Sequence, residues 1–285
     1  MIKNSKKTTV VLVGAGGKMG MRCLNNLLKH DYKILLCENG AAGLERLKDK
    51  GLTVTPNEEA IPSGDYIIMA VPDAKLGKIS ETAVPMMKPG ATMITLDPAA
   101  AFAKELTLRD DCTFVVTHPC HPGLFVEQDT PEARSDMFGG IAAKQDIVIA
   151  FMQGEEENFL TAEKICKEMF APVVYCHRIT VEQMAMLEPA AAEVVAASAA
   201  CLMKEALDEV IKRGVPEAAA KAFMMGHIQI PLAIVFKNVN PFSDAAKIAI
   251  KFGYEHIYRP DWKKIFEMDS IKEQVHRMIH PEEEE

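Results

Sequence analysis

The stretch that most constrains this chain is Val10, Val11, Leu12 and Val13 followed at once by Gly14, Ala15, Gly16, Gly17, Lys18, Met19 and Gly20. A short, mostly β-branched apolar run ends in glycines. It passes directly into a segment that carries Met19, Cys23, Leu24, Leu27 and Leu28 at helical spacing. The order is strand, tight turn, helix. Glycines at such a turn let a phosphate approach the backbone, and the N–H groups and positive end of the new helix face it. Residues 14–20 therefore predict a dinucleotide site. The spacing departs from G-x-G-x-x-G: Gly14 and Gly16 fit, Met19 takes the third position and Gly20 comes one residue late.

The next hundred or so residues supply the surroundings such a turn needs. A strand over 33–37 ends at Glu38. An acid about 20 residues past the glycine turn accepts hydrogen bonds from ribose hydroxyls and repels the 2′-phosphate of NADP. Glu38 thus points to NAD. The run 65–71 reads as a strand buried on both faces, stopped by Pro72, with Asp73 capping the next helix. Ligands of doubly wound sheets sit at the carboxyl ends of the strands, which puts Val71, Pro72 and Asp73 beside the cofactor. Further strands at 91–96, 113–117, 146–152 and 172–176 alternate with helical stretches. The expected fold class is α/β: a Rossmann doubly wound parallel sheet in an NAD-binding domain, residues 1–178. An all-helical C-terminal domain for substrate and dimerisation, residues 179–285, completes the chain.

In that second half a helix over 180–212 is N-capped by Thr180, disturbed at Pro189 and stopped at Gly214. A second helix starts near Pro216 and is cut at Pro231; others lie at 244–252 and 262–279. A largely apolar helix of that length is expected to be buried along much of itself, which in a small domain implies a second subunit and hence a homodimer. The formal charge of −8, without a basic patch, speaks against nucleic-acid partners. Seven scattered cysteines suit a reducing cytoplasm. No uninterrupted apolar run reaches membrane-spanning length, so no membrane partner is expected. Residues 1–8 and 282–285 read as solvated ends.

Two places carry chemistry. His118, Pro119, Cys120, His121 and Pro122 read as a rigid loop with two imidazoles and a thiol, suited to metal binding or to acid–base work. Glu188 sits mid-helix among methionines and alanines, where a carboxylate is costly to bury unless it meets a cation. Glu193, five residues on, points well away from Glu188 on a regular helix, a relation that distortion at Pro189 alters. His118 on the nucleotide side and Glu188 on the first long helix are the pair expected to meet at the substrate. His227 reads as a core or interface histidine.

The glycine turn, Ala70 through Asp73, the His118 to Pro122 run and the long helix with Glu188 together resemble the 6-phosphogluconate and 3-hydroxyacid dehydrogenase superfamily. Nearly the whole chain is similar to NAD-binding proteins of the D-apionate oxidoisomerase type, whose helical half is like a phosphogluconate dehydrogenase C-terminal domain. The resemblance implies NAD-dependent oxidation of a branched sugar acid, D-apionate to 3-oxo-isoapionate, coupled to migration of a carbon substituent, in carbohydrate catabolism. It implies a divalent metal, zinc or magnesium, with His118 and Glu188 as catalytic residues and ligands. It also implies that residues 14–20 hold the pyrophosphate. Glu188 and its neighbours stand where hydroxyacid dehydrogenases carry a catalytic lysine. Two other readings stay open: a metal-free NAD-dependent 3-hydroxyacid or sugar-acid dehydrogenase with His118 as base, and a non-enzymatic NAD(H) sensor.

Overall fold

The apolar runs become seven strands in a computed structural model that describes residues 7–283. They are β1 (Thr9–Val13), β2 (Lys33–Cys37), β3 (Tyr66–Met69), β4 (Thr92–Thr95), β5 (Thr113–Pro119), β6 (Gln145–Gln153) and β7 (Val173–Ile179). The main helices are α1 (Lys18–Leu27), α2 (Ala41–Asp49), α3 (Asp73–Met86), α4 (Glu156–Met169), α5 (Val181–Lys212), α6 (Glu217–Lys237), α7 (Asp244–His256) and α8 (Met268–Ile279). The expectations for residues 1–6 and for Glu284 and Glu285 lie outside the described residues.

The strands form one sheet in the order β2-β1-β3-β4-β5-β6-β7. Successive side chains of a strand point to opposite faces, so β1, β3 and β4 feed two cores at once. Val11, Ile67 and Met93 pack on one face with Leu76, Ala83 and Val84 of α3. Val10, Leu12, Ile68 and Ile94 pack on the other with Cys23, Leu24 and Leu27 of α1 and Phe159, Ala162 and Ile165 of α4. Burial on both sides is why these strands read as unbroken apolar runs.

Two expectations about the sheet are corrected. It is not wholly parallel: β5 and β6 pair antiparallel, while β6 and β7 are parallel to each other. An antiparallel neighbour needs no crossover helix, and here residues 120–144, with one short helix at Pro131–Ser135, make the return. The His118 to Pro122 segment is also not all loop. His118 and Pro119 extend β5, opposite Val148 and Ile147 of β6.

By its internal contacts the chain divides into two units: residues up to Leu187 together with those from Lys272 onward, and Glu188–Ile271. The division falls beyond the 178/179 boundary expected from the sequence. The first turn of α5 belongs with the sheet, where Met184 and Ala185 are fully buried. The C-terminal helix returns there too, with Val275 and Ile279 buried and His280 Nε2 2.9 Å from Glu105 Oε1.

The second unit is helical. Pro189 does more than kink α5: Met186–Ala197 runs as a π-helix. Pro231, expected to cut the next helix, leaves α6 unbroken from Glu217 to Lys237, because a proline forfeits one backbone bond and the remaining turns hold. Within the single chain these helices are largely exposed. Only 11% of the most apolar window of α5 and 6% of that of α6 is buried, although both are long and apolar enough to cross a membrane. Phe223, Met225, Ile230 and Phe236 of α6 are exposed.

Candidate active site

The carboxyl ends of β1, β2 and β3 border a cavity of about 590 Å³ whose wall includes Gly14, Gly17, Glu38, Arg46, Val71 and Pro72. These are neighbours because β1 lies between β2 and β3 in register. Five of them are legible in the sequence; Arg46 of α2 is not. Ala15, Gly16, Lys18, Met19 and Gly20 shape the turn and the start of α1 behind that wall. A Cβ on Gly20 would lie 2.2 Å from the Gly14 carbonyl oxygen. Gly20 therefore gives the close helix–strand contact that the third glycine of such turns provides, one residue later than usual. Asp73 is the first residue of α3 rather than its cap; Pro72 stands at the cap position.

Glu38 borders the cavity, but its carboxylate is occupied. Oε2 accepts from the Gly16 N–H at 2.9 Å, and Oε1 accepts from the Asn39 and Gly40 N–H groups at 2.9 and 2.7 Å. Arg46 Nε donates to the Gly16 carbonyl at 2.7 Å. The Gly16 peptide is thus held from both sides by side chains of the β2–α2 region. Burial, helped by Glu58, pushes the Cys37 thiol at the cavity edge up to about 11, so it stays neutral.

The second constellation stands at the ends of β4 and β5. Asp97, His118 and Glu188 each offer a ligand atom, and these atoms all lie within 4.8 Å of one another. Asp97 lies just past β4, His118 is in β5, and the two strands are paired. Glu188 arrives from farther along the chain. Ile179 ends β7 opposite Ala150, which is itself opposite Val116, two residues or about 7 Å short of His118. α5 starts there, locked by a capping box between Thr180 and Gln183, and packs its first turn on the short helix Ala99–Phe102 and on β6. At 1.5 Å per residue, Glu188 lies about 10 Å along that helix. It is the residue directly after Leu187, where the first unit ends.

The imidazole of His118 is oriented from behind. Its Nδ1 is 2.9 Å from the Pro119 carbonyl oxygen. A carbonyl only accepts, so Nδ1 carries a proton and Nε2 is the nitrogen left to bind. One imidazole and two carboxylates at this separation suit a single divalent ion with bonds of about 2.0–2.6 Å. The pairing of His118 with Glu188 is legible in the sequence; Asp97 as a ligand is not. Its signal is its place just after a strand, and only the β4–β5 adjacency makes that place count.

Beyond His118 the loop is rigidified by polar contacts. His121 has a left-handed backbone at φ 60°, and its Nδ1 donates to the Phe138 carbonyl at 2.8 Å. Its ring stands edge-on to that of His118 at 6.0 Å. Asp136 Oδ2 accepts from the N–H groups of Ile141, Ala142 and Ala143 at 2.9–3.1 Å. Burial raises the pKa of Asp136, but those N–H groups and the charge of Arg22 outweigh it and hold the carboxyl below its ordinary value. His227, by contrast, bonds the Phe223 carbonyl within its own helix, 2.9 Å away, and is exposed rather than in a core.

The NADPH-binding domain model of acetohydroxy acid isomeroreductase matches residues 4–152, and the phosphogluconate dehydrogenase (decarboxylating) C-terminal model matches residues 126–279. The D-apionate oxidoisomerase of Pectobacterium atrosepticum is 47% identical, covering 95% of each chain. That of Blautia hydrogenotrophica is 46% identical, covering 97% of this chain and 98% of its own. A semialdehyde dehydrogenase NAD-binding protein from Cupriavidus necator, crystallised with calcium and NAD, superposes with a TM-score of 0.92 at 45% identity. That match covers 96% of this chain and all of the other. An NADH-preferring ketol-acid reductoisomerase from an uncultured archaeon, at 19% identity and a TM-score of 0.64 over 97% of this chain and 83% of its own, shares the fold. The chain belongs to the D-apionate oxidoisomerase family.

Proposed function

We propose that this protein is an NAD-dependent oxidoisomerase that acts, with a divalent metal, on a branched sugar acid of the D-apionate class in carbohydrate catabolism. The observation that carries the reading is the Asp97, His118 and Glu188 donor set at the carboxyl ends of the central strands. It stands on the edge of the sheet where the nucleotide cavity opens. Relatives at 45–47% identity named for this reaction, and a relative crystallised with calcium and NAD, support it.

Asp97, His118 and Glu188 would hold the metal, zinc, magnesium or calcium. A bound ion would supply Lewis-acid polarisation of a substrate hydroxyl or carbonyl oxygen. Pro119, through its carbonyl, takes the Nδ1 side of His118 and leaves Nε2 as the donor. Gly14, Gly17, Glu38, Val71 and Pro72 would line the bound NAD, with the N-terminus of α1 toward its pyrophosphate. Bound NAD would accept the hydride lost when a substrate hydroxyl becomes a carbonyl. The substituent would then leave the neighbouring carbinol carbon for that new carbonyl carbon, the carbinol becoming a carbonyl as its hydroxyl proton passes to the new alkoxide. The exposed apolar side chains of α6 support a homodimer in a cytoplasmic enzyme, since a second copy would cover them.

The test is turnover of D-apionate with NAD, before and after chelation, with the product identified by NMR. NADH and 3-oxo-isoapionate that appear only with a divalent ion are the expected result. Full activity without any such ion would leave His118 Nε2 as the base of a metal-free dehydrogenase. NAD binding with no hydride transfer to any sugar acid would favour a sensor. Sedimentation as a monomer would remove the dimer.

A further inference from the structure

We propose that Glu193 recognises a hydroxyl of the substrate, one helical turn along α5 from Glu188; this rests on the sugar-acid reading of the site. On an α-helix, residues five apart differ by about 140° around the axis, and the two carboxylates would face different ways. Met186–Ala197 is instead a π-helix, in which the N–H of residue i+5 bonds the carbonyl of residue i. Residues joined in that way stack along the axis, as i and i+4 do on an α-helix, with Cβ atoms about 5–6 Å apart. Both acids lie within this segment, so the wider turn brings Glu193 onto the face of Glu188. Pro189, which has no N–H to give to the carbonyl four residues before it, lies within this segment.

The placement suits recognition better than ligation. Glu193 is exposed, and it is not among the three groups whose ligand atoms lie within 4.8 Å of one another. Ala192, Ala196 and Ala197 around it are small and exposed. A polyhydroxy acid whose oxygens meet the Asp97, His118 and Glu188 set presents its remaining groups along this face. A carboxylate there accepts from a hydroxyl and repels the substrate's own carboxylate. It therefore fixes which end of the sugar acid points along the helix. A site built to accept from a hydroxyl also discriminates against analogues that lack it.

Calorimetry on the full-length protein without NAD separates these roles. Mg²⁺, Ca²⁺ or Zn²⁺ is titrated alone into metal-free protein, and D-apionate is then titrated into the metal-loaded form. Glu193→Ala is expected to bind the metal within about twofold of wild type and to bind D-apionate roughly ten- to a hundredfold more weakly. Glu193→Gln keeps an acceptor oxygen and is expected to recover most of that affinity. Glu205→Ala, farther along α5, is expected to change neither. Glu188→Gln is expected to lose the metal itself. Wild-type affinity for D-apionate in Glu193→Ala overturns the proposal, and so does loss of the metal in that variant, which would make Glu193 a ligand. A wild-type protein that takes up the metal but no sugar acid overturns the proposed function, and this inference with it.

Discussion

The nucleotide cavity and the Asp97, His118 and Glu188 set lie on the same edge of one sheet, yet they are built in opposite ways. The cavity wall comes from residues 13–82, mostly the ends of three adjacent strands, and it offers backbone groups held in place by glycines, Glu38 and Arg46. The second set takes one side chain from each of three distant segments and depends on the pairing of β4 with β5 and on where β7 ends. A site made of backbone tolerates side-chain changes that leave the turn intact. A site made of three side chains has no redundancy. The largest effect should come from breaking it: Glu188→Gln should lower turnover about a thousandfold, roughly 4 kcal/mol of transition-state stabilisation, with NAD affinity unchanged. A parallel loss of NAD affinity, measured by fluorescence titration, would join the two regions into one.

That difference also decides what is legible in the sequence. The turn at 14–20, Glu38 and the strand over 66–69 are local patterns, and each lies within a few residues of where its period and its glycines put it. His118 and Glu188 stand out because an imidazole next to a proline and a carboxylate among alanines are chemically conspicuous. Asp97 does not, because an acid after a strand is ordinary until its neighbour is known. The antiparallel return of β6 is illegible for the same reason: a buried strand shows no direction in its side chains. The π-helix is hidden because Pro189 announces a disturbance but not its length.

The cavity can be broken by moving Glu38 without replacing it. A Cβ on Gly43 would lie 2.5 Å from the Glu38 carboxylate and displace it from the Gly16 and Gly40 amides. Gly43→Ala is expected to weaken NAD binding about a hundredfold, some 3 kcal/mol, while turnover at saturating NAD stays close to wild type. Glu38→Ala should weaken NAD as well and narrow the preference over NADP, measured as the ratio of kcat/KM values. If both variants keep wild-type affinity and selectivity, the clasp on Gly16 has no part in cofactor binding.

The loop beside His118 offers a smaller effect with a pH signature. Asp136→Asn should cost about 2 kcal/mol of stability near neutral pH, read from denaturant melts, because three backbone N–H groups lose a charged acceptor. The folded carboxyl is held below its ordinary value, so its stabilisation is fully present above the ordinary aspartate range, near about 4, and is lost as pH falls through the lower folded value. The gap between wild type and variant should therefore close on acidification below about pH 4. A gap that persists at about pH 2 would assign the loss to shape rather than charge.

The smallest effect tests how the distant carboxylate reaches its partners. The Thr180 side chain accepts from the Gln183 N–H, and the Gln183 side chain accepts from the Thr180 N–H. Thr180→Ala should cost about 1 kcal/mol, as lost N-caps do. The cap lies eight residues before Glu188 and is not one of the three candidate donors. If the start of α5 sets the position of Glu188, metal affinity should fall severalfold in this variant while NAD affinity does not move. If only the melting temperature changes, Met184 and Ala185, buried against the sheet, fix the helix by themselves. The side-chain site would then share with the nucleotide cavity a dependence on packing rather than on any single polar contact.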